Sequence, residues 1–278
     1  MPQELHELAI RNRETVFNLL FQCAAGTLKQ LALDKKHLGA ETGFTAILHT
    51  WGQNLMFHPH VHVIIPGGGL SGIETWQNSR KKFFIPIRVV AKLFRGKFLH
   101  GLDQIRHNIR GLENDDTWTQ LRKTLYAKNW YVYCKRPFKT PHSVLQYLGR
   151  YTHRVAISNH RILSVQGGNI SFKWRDFKDR SREKVMTLTA DEFIRRFLLH
   201  ILPPGFTKIR HYGFLASAVK KTKLALCKRL TGVKITYAVK LTAVQLMEKL
   251  TGRDISLCPY CGLGHFASSA SRAPPNVA

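Results

Sequence analysis

Residues 54–69 read NLMFHPHVHVIIPGGG, and their pattern indicates one element of secondary structure with two different faces. His60 and His62 alternate with the apolar residues Val61 and Val63. Side chains two positions apart point to the same face of a β-strand. The pattern therefore predicts a strand with imidazoles on one face and an apolar face packed on a core. The proline and glycines that follow mark its end.

The preceding segment, GFTAILHTWGQ (43–53), is rich in β-branched and aromatic residues and predicts a second strand. About six residues separate the two segments, which favours an antiparallel hairpin. Residues 129–138 also alternate like a strand, and residues 4–34 and 140–154 have helical spacing. Strands and helices thus mix along the chain, which predicts an α+β fold with a largely antiparallel sheet rather than a doubly wound parallel one.

A divalent metal is one use for two adjacent imidazoles, and a solvent-facing or hydrogen-bonded pair is the alternative that spacing alone leaves open. In a hairpin centred near residues 56 and 57, Gln53 lies opposite His60. An amide oxygen with the imidazoles of His60 and His62 suits Mn²⁺ or Mg²⁺. His49 is a second candidate, but a core or surface role is the favoured interpretation. His58 precedes a proline and is the least certain member of the strand.

The charge of the chain is far from balanced. Lysine and arginine number 43 against 17 acidic residues in 278, a formal net charge of +26. A polyanionic partner is the favoured explanation, and a solvated cationic surface is the alternative. The odd count of five cysteines argues against a secreted disulfide framework. The cysteine count favours a reducing cytoplasm. No apolar run is long enough to span a bilayer, so no membrane partner is expected, with a basic protein at a membrane surface as the alternative.

The segment YLGRY places Tyr147 and Tyr151 four residues apart, on one face of the predicted helix. Arg150 and Arg154 follow closely and would favour phosphate nearby. An activated tyrosine can attack a phosphodiester and become linked to the phosphate. Taken alone, however, aromatic residues at this spacing more often pack in a core.

Three segments in this order carry a resemblance to a known superfamily. They are LHTWGQNLMFHPHVHVIIPGGGLS, YLGRYTHRVAISNHRI and FIRRFLLHILPPGFTKIRHYGFLA. Together they resemble the two-tyrosine transposases of the insertion-sequence 91 family, within the HUH endonuclease superfamily. The likeness extends from about residue 2 to about residue 215.

The resemblance implies an RRM-like antiparallel sheet with helices on one side. It also implies that His60 and His62 bind a divalent metal, with Gln53 at the place where related viral initiators hold an acidic ligand. Tyr147 and Tyr151 match the two nucleophiles, which become linked to the 5′ end of DNA. The expected function is nicking and rejoining of single-stranded DNA at transposon ends in rolling-circle-type transposition, in the nucleoid-associated fraction of a bacterial cytoplasm.

The resemblance also has a departure. Such transposases usually begin with a cysteine-rich zinc-binding domain and a first sheet strand, and neither is recognised before MPQELHELAIRN. The expectation is therefore either a truncated gene product or a sequence read from an internal Met of a longer protein. Two alternatives remain: a catalytically inactive DNA-binding remnant, and a basic RNA-binding protein with incidental histidines.

The sequence predicts three segments: a nuclease core at 1–180, a basic and mostly helical DNA-binding region at 181–253, and a short cysteine-containing tail at 254–278. Cys258 and Cys261 have spacing compatible with half of a zinc site. Basic residues predicted to contact DNA, with a solvated surface as the alternative, are Arg150, Arg154, Arg195, Arg196, Lys220 and Lys221.

Overall fold

The computed structural model describes residues 1–72, 74–80, 85–135, 137–138, 140–152, 156–177, 179–233, 241–252, 254–258 and 260–266, without the side chains at 141, 150–152 and 243. The chain forms two compact units, Met1–Val233 and Lys234–Ala278. The domain boundaries near 180 and 253 stay predictions.

The described helices are α1 (His6–Arg11), α2 (Arg13–Leu33), α3 (Ile87–Ile105), α4 (Asp115–Ala127), α5 (Pro141–Thr152), α6 (Ala190–Leu198), α7 (Lys220–Leu230) and α8 (Ala243–Thr251). The described strands are β1 (Phe44–Trp51), β2 (Phe57–Ile64), β3 (Gly68–Leu70), β4 (Trp76–Asn78), β5 (Ile162–Gln166), β6 (Asn169–Asp176), β7 (Arg182–Thr189) and β8 (Ile209–Tyr212).

The central sheet has the order β2-β1-β8, and both pairs are antiparallel. One face of the β1–β2 hairpin is apolar and buried, with Leu48 at 1% and Phe57 at 7% exposure. Helices α1 to α4 supply most of the other core residues that pack on this face, including Phe17 and Phe98. The opposite face carries the histidines. The hairpin is therefore held by a large apolar core on one side and presents its histidine side chains on the other.

A second antiparallel sheet has the order β5-β6-β7. Phe172 from β6 and Phe193 from α6 form a small core there, which also includes Leu55 from the β1–β2 turn. Thr189 caps α6, since its side-chain oxygen accepts from the Glu192 amide. This second core therefore touches the tip of the central hairpin. The remaining strands, β3 and β4, form a short separate hairpin.

The α+β prediction is confirmed, with antiparallel sheets, and the core helices lie on one side of the central sheet. Three details differ. The predicted helix at 4–34 is broken at Asn12, whose side chain donates to the Leu8 and Arg110 carbonyls. The predicted strand at 129–138 is wrong, because its described residues pair with no strand. The strands β7 and β8 lie within the region that was predicted to be mostly helical.

Within the described ranges, no helix combines the length and the apolar character needed to cross a membrane.

Candidate functional site

The register of the central hairpin differs from the predicted one. His49 lies opposite His60, and Trp51 pairs with Phe57 after an irregularity that leaves one extra residue in β2. The turn is thus centred near residue 54 and not near 56 and 57. Gln53 lies in this turn, where it is exposed. The prediction that Gln53 faces His60 across the strands was wrong, and the cross-strand position belongs to His49.

His49, His60 and His62 form a cluster on the face of the hairpin away from the helices. One ring nitrogen from each lies within 4.8 Å of the others, and these three form the one such group of histidine, cysteine or acidic residues within the described part of the chain. His49 is 3% exposed and stacks on Trp51, with ring centroids 4.6 Å apart. Three converging imidazoles are a recognised donor set for a divalent metal.

The hydrogen bonds around the cluster fix where its protons sit. His60 Nδ1 lies 2.6 Å from the His58 carbonyl oxygen. A carbonyl can only accept, so Nδ1 donates and the Nε2 of His60 keeps its lone pair. That Nε2 lies 3.0 Å from the Nε2 of His62, which must therefore donate. The Nδ1 of His62 is left with a lone pair.

Tyr147 completes this chain of hydrogen bonds. Its hydroxyl lies 2.9 Å from the Nδ1 of His62, 85 residues earlier in the sequence, and donates to that lone pair. The Tyr147 side chain is half-buried on α5. Tyr151 lies one turn later on α5, but its side chain and that of Arg150 lie outside the described residues, as does all of Arg154. The structure thus joins one predicted nucleophile to one predicted ligand.

Burial keeps the clustered histidines neutral. It lowers the pKa of His62 to about 4. Burial and the adjacent His62 lower the pKa of His60 well below its usual range. A neutral imidazole offers the lone pair that a metal requires, whereas an imidazolium does not. The two histidines are thus neutral over the whole neutral range.

Three side chains hold the turn of the hairpin through three consecutive carbonyls. Arg161 Nη2 donates to the Gln53 carbonyl at 2.5 Å, and Arg196 Nη1 donates to the Asn54 carbonyl at 3.2 Å. The Nε2 of His200 donates to the Leu55 carbonyl at 3.0 Å. We call these three residues the turn clamp. Such support is needed because Leu55 has a φ of 60°, which costs a non-glycine residue on the order of 1–3 kcal/mol.

The described basic residues that were predicted to bind DNA differ in exposure: Arg196 is largely buried, whereas Arg195, Lys220 and Lys221 are exposed. Arg196 has a side chain only 16% exposed and is used by the turn clamp, and it also pairs with Glu192. Arg195 is 58% exposed and makes a two-pronged contact with the same carboxylate. Lys220 and Lys221 are exposed at the start of α7.

Cys258 and Cys261 lie in a tight turn of the second unit. The Gly264 amide donates to the Cys261 sulfur at 3.4 Å, and such backbone hydrogen bonds lower the pKa of the Cys261 thiol. This favours the thiolate that a metal would bind. His265, four residues after Cys261, contacts the Ser256 hydroxyl through its Nδ1, at 2.8 Å. In the part of the chain that is described, no third ligand converges on the cysteine pair, so zinc there stays a prediction.

Comparison with known proteins agrees with this arrangement. Residues 43–223 match the model of the Y2 transposase family, whose description is "Putative transposase". The chain is 43% identical over 277 residues to "Putative transposase y4qJ" of Sinorhizobium fredii, covering 95% of this chain and 70% of that protein. It is 30% identical over 224 residues to the transposase for insertion sequence element IS801 of Pseudomonas savastanoi pv. phaseolicola, covering 79% of this chain and 53% of that protein.

No solved structure matches the chain. The family match spans both hairpin strands, all three clustered histidines and the described part of α5. The chain therefore belongs to the Y2 family of transposases.

Proposed function

We propose that this chain nicks and rejoins single-stranded DNA at transposon ends, in rolling-circle-type transposition, with Tyr147 as a nucleophile. The observation that carries the proposal is the 2.9 Å contact between the Tyr147 hydroxyl and His62, since it places a potential nucleophile against a three-histidine cluster. Tyr151 is proposed as the second nucleophile, on the sequence resemblance and its place on α5.

His49, His60 and His62 would hold a divalent metal. When bound, it would polarise the scissile phosphate. The donor set bears on which ion is used. Because His49 takes the cross-strand position predicted for the Gln53 oxygen, the described donors are three nitrogens. Mg²⁺ strongly prefers oxygen, whereas Mn²⁺ and later transition metals accept imidazole, so we propose Mn²⁺ over Mg²⁺.

The proton on His62 links metal binding to the nucleophile. If the Nε2 of His62 acts as a ligand, its proton must move to Nδ1. Nδ1 then donates to the Tyr147 oxygen and no longer accepts from it. A donor aimed at that oxygen favours the phenolate, the form that attacks. His62 would thus hold Tyr147 protonated without a metal and favour its ionisation with one.

The proposed reaction is balanced and needs no external energy source. The Tyr147 oxygen forms a bond to phosphorus while the bond from phosphorus to the 3′ oxygen breaks. The phenolic proton of Tyr147 is released to solvent, the leaving 3′ oxygen takes up one proton from solvent to become a free hydroxyl, and the 5′ phosphate stays on the tyrosine. A second 3′ hydroxyl can reverse the step on another strand, since one phosphodiester replaces another.

The first turn of α7 supports DNA binding. Two lysines stand there, although a helix N-terminus carries partial positive charge and prefers anions. The first turn contains no acidic residue, and the N-cap residue Val219 makes no side-chain hydrogen bond. A DNA phosphate would pair with both lysines at this positive end of the helix. We propose that Lys220 and Lys221 contact the DNA backbone here.

The test is a nicking assay on single-stranded oligonucleotides from the ends of the element, with Mn²⁺. A covalent protein–DNA adduct is expected, and it should disappear in the Tyr147→Phe/Tyr151→Phe variant. Tyr126→Phe is the matched control, because Tyr126 is 40% exposed on α4 and has no role in the site. If the folded chain forms no adduct with Mn²⁺, the catalytically inactive DNA-binding remnant becomes the better conclusion.

A further inference from the structure

The segment from Lys128 to Phe138 connects α4 to the region of α5 and is anchored at Trp130. Trp130 is 7% exposed, and its indole nitrogen donates to the Leu125 carbonyl at 3.0 Å. Its ring lies 5.6 Å from that of Phe94 and 5.5 Å from that of Phe98, between centroids. This fixes one end of the segment to the main core.

Two tyrosines next to this anchor are left in solvent. Tyr131 is 88% exposed and Tyr133 is 70% exposed, while Val132 between them is half-buried. The alternation places both rings on the outer side of the segment. In extended chain, two residues span about 6.6 Å, so each ring can meet a different base of a single strand. Tyrosine is enriched at binding surfaces, because its ring is apolar and its hydroxyl is polar.

The other end of the segment reaches the proposed nucleophile. The Phe138 and Tyr147 rings lie 5.2 Å apart between centroids. Lys135 Nζ lies 5.6 Å from the Phe138 centroid and 5.9 Å from the Tyr147 centroid. The segment that carries the exposed rings therefore ends in a cation and an aromatic ring that lie against Tyr147.

The charge of the segment selects the kind of partner. Its sequence, KNWYVYCKRPF (128–138), contains three basic residues and no acidic one. Lys128 pairs with Glu4, whereas Lys135 lies beside the Tyr147 ring. Aromatic rings interleaved with cations match the alternation of bases and phosphates along a single strand.

We infer that Tyr131 and Tyr133 form a stacking platform for two bases of the single-stranded DNA, whose backbone passes Lys135 on its way to Tyr147. This inference rests on the proposed function and adds to it the surface that presents the strand. The flat rings give affinity with little sequence preference, since every base has a face to stack. Sequence choice at transposon ends is then made elsewhere on the protein.

The test is fluorescence anisotropy with a labelled oligothymidine strand. Removing a stacked ring costs about 1–3 kcal/mol per base, so Tyr131→Ala/Tyr133→Ala, which removes both rings, should raise the Kd at least about 30-fold. Tyr131→Phe/Tyr133→Phe keeps the rings and should bind within about twofold of the unchanged chain. The dependence of Kd on salt should be the same in all three, because no phosphate contact is lost.

Phe177→Ala is the matched control, since Phe177 is also an exposed aromatic residue, at 68% exposure, on the second sheet's β6–β7 connection. It should bind like the unchanged chain. An equal loss in Phe177→Ala would overturn the platform, because the effect would not belong to this segment. Equal losses in the alanine and phenylalanine variants would overturn it too, because stacking would not explain them. Tighter ring-dependent binding of the matching RNA would overturn the choice of DNA.

The outcome is separable from that of the proposed function. A folded chain that forms no adduct, yet loses DNA affinity when the rings are removed, would refute Tyr147 catalysis and retain the platform. A chain that forms the adduct and binds DNA equally with and without the rings would retain catalysis and refute the platform. Thermal unfolding of the variants confirms that they are compared as folded proteins.

Discussion

Replacing two adjacent arginines separates a structural role from a DNA contact. Both Arg195 and Arg196 were predicted from sequence to touch DNA. The structure distinguishes them, because the Arg196 guanidinium donates to the Asn54 carbonyl at 3.2 Å and its side chain is only 16% exposed. Arg195 is 58% exposed, and its recorded side-chain partner within the described residues is Glu192. We expect Arg196→Ala to loosen the turn clamp and Arg195→Ala to leave it intact.

The size of the effect follows from these contacts. A hydrogen bond from a charged donor contributes about 1.5–3 kcal/mol, so Arg196→Ala should lower the free energy of unfolding by about 2 kcal/mol. For a domain of this size, that corresponds to a fall in Tm of about 4–8 °C. Arg195→Ala should leave the free energy of unfolding essentially unchanged, as for other exposed ion pairs. Glu192 keeps one arginine partner in either variant.

Two measurements decide the matter: urea unfolding of each variant, and the affinity for single-stranded DNA at several salt concentrations. Each phosphate contact contributes about 0.7 to the slope of log K against log salt for single strands. Arg196→Ala should keep the slope of the unchanged chain. A structural role for Arg196 is refuted if Arg196→Ala is as stable as the unchanged chain and its slope falls by this amount.

Four further outcomes are expected. His49→Ala should weaken Mn²⁺ binding by more than the roughly 10–100-fold typical of losing a ligand's supporting partner, and calorimetric titration showing unchanged affinity would contradict its role as a ligand. Because the pKa of His62 is lowered to about 4, Mn²⁺ affinity should stay nearly constant from pH 8 down to about 5.5 and fall only as the pH approaches 4; an ordinary histidine would lose affinity from about 6.5, and titrations across this range distinguish the two. Lys220→Ala/Lys221→Ala should lower the salt slope of single-strand binding by about 1.4 without changing unfolding by urea, and an unchanged slope would place the DNA elsewhere. Cys258→Ser should abolish zinc binding by the purified chain as measured with a chromogenic chelator, while equal zinc content in both proteins would remove the cysteine pair as a site.

The hairpin shows how far the sequence alone leads. Alternation identifies β2 and its histidine face, because the period of two follows directly from strand geometry. It does not give the partner of His60, since that depends on the turn. A shift of the centre by two residues exchanges Gln53 for His49. Asn54 offered a signal: its side-chain oxygen accepts from the Met56 amide, a local bond that asparagine often makes in turns.

The contact between His62 and Tyr147 could not be predicted from local sequence spacing, for a different reason. No local rule relates positions 85 residues apart, and only the resemblance paired the two segments. The prediction of a strand at 129–138 failed because alternation reports which side chains are buried and not whether a partner strand exists. Trp130 is buried and Tyr131 is exposed, so the pattern is real, but the segment pairs with no described strand. The alternation that predicts a half-buried strand was produced here by a surface segment that is anchored at Trp130.

Under the proposed function, the two nucleophiles must reach one metal site from different places. Four residues of helix rise about 6 Å, so Tyr147 and Tyr151 cannot occupy the same position beside His62 without relative movement. The histidine side is fixed, because the hairpin is packed on the main core and its turn is held by the turn clamp. Among the described side chains of α5, by contrast, none is fully buried, and Leu145 is 65% exposed. Helices with few buried contacts open and shift at low cost. Strand transfer would therefore move α5 and the DNA attached to it past a stationary histidine cluster.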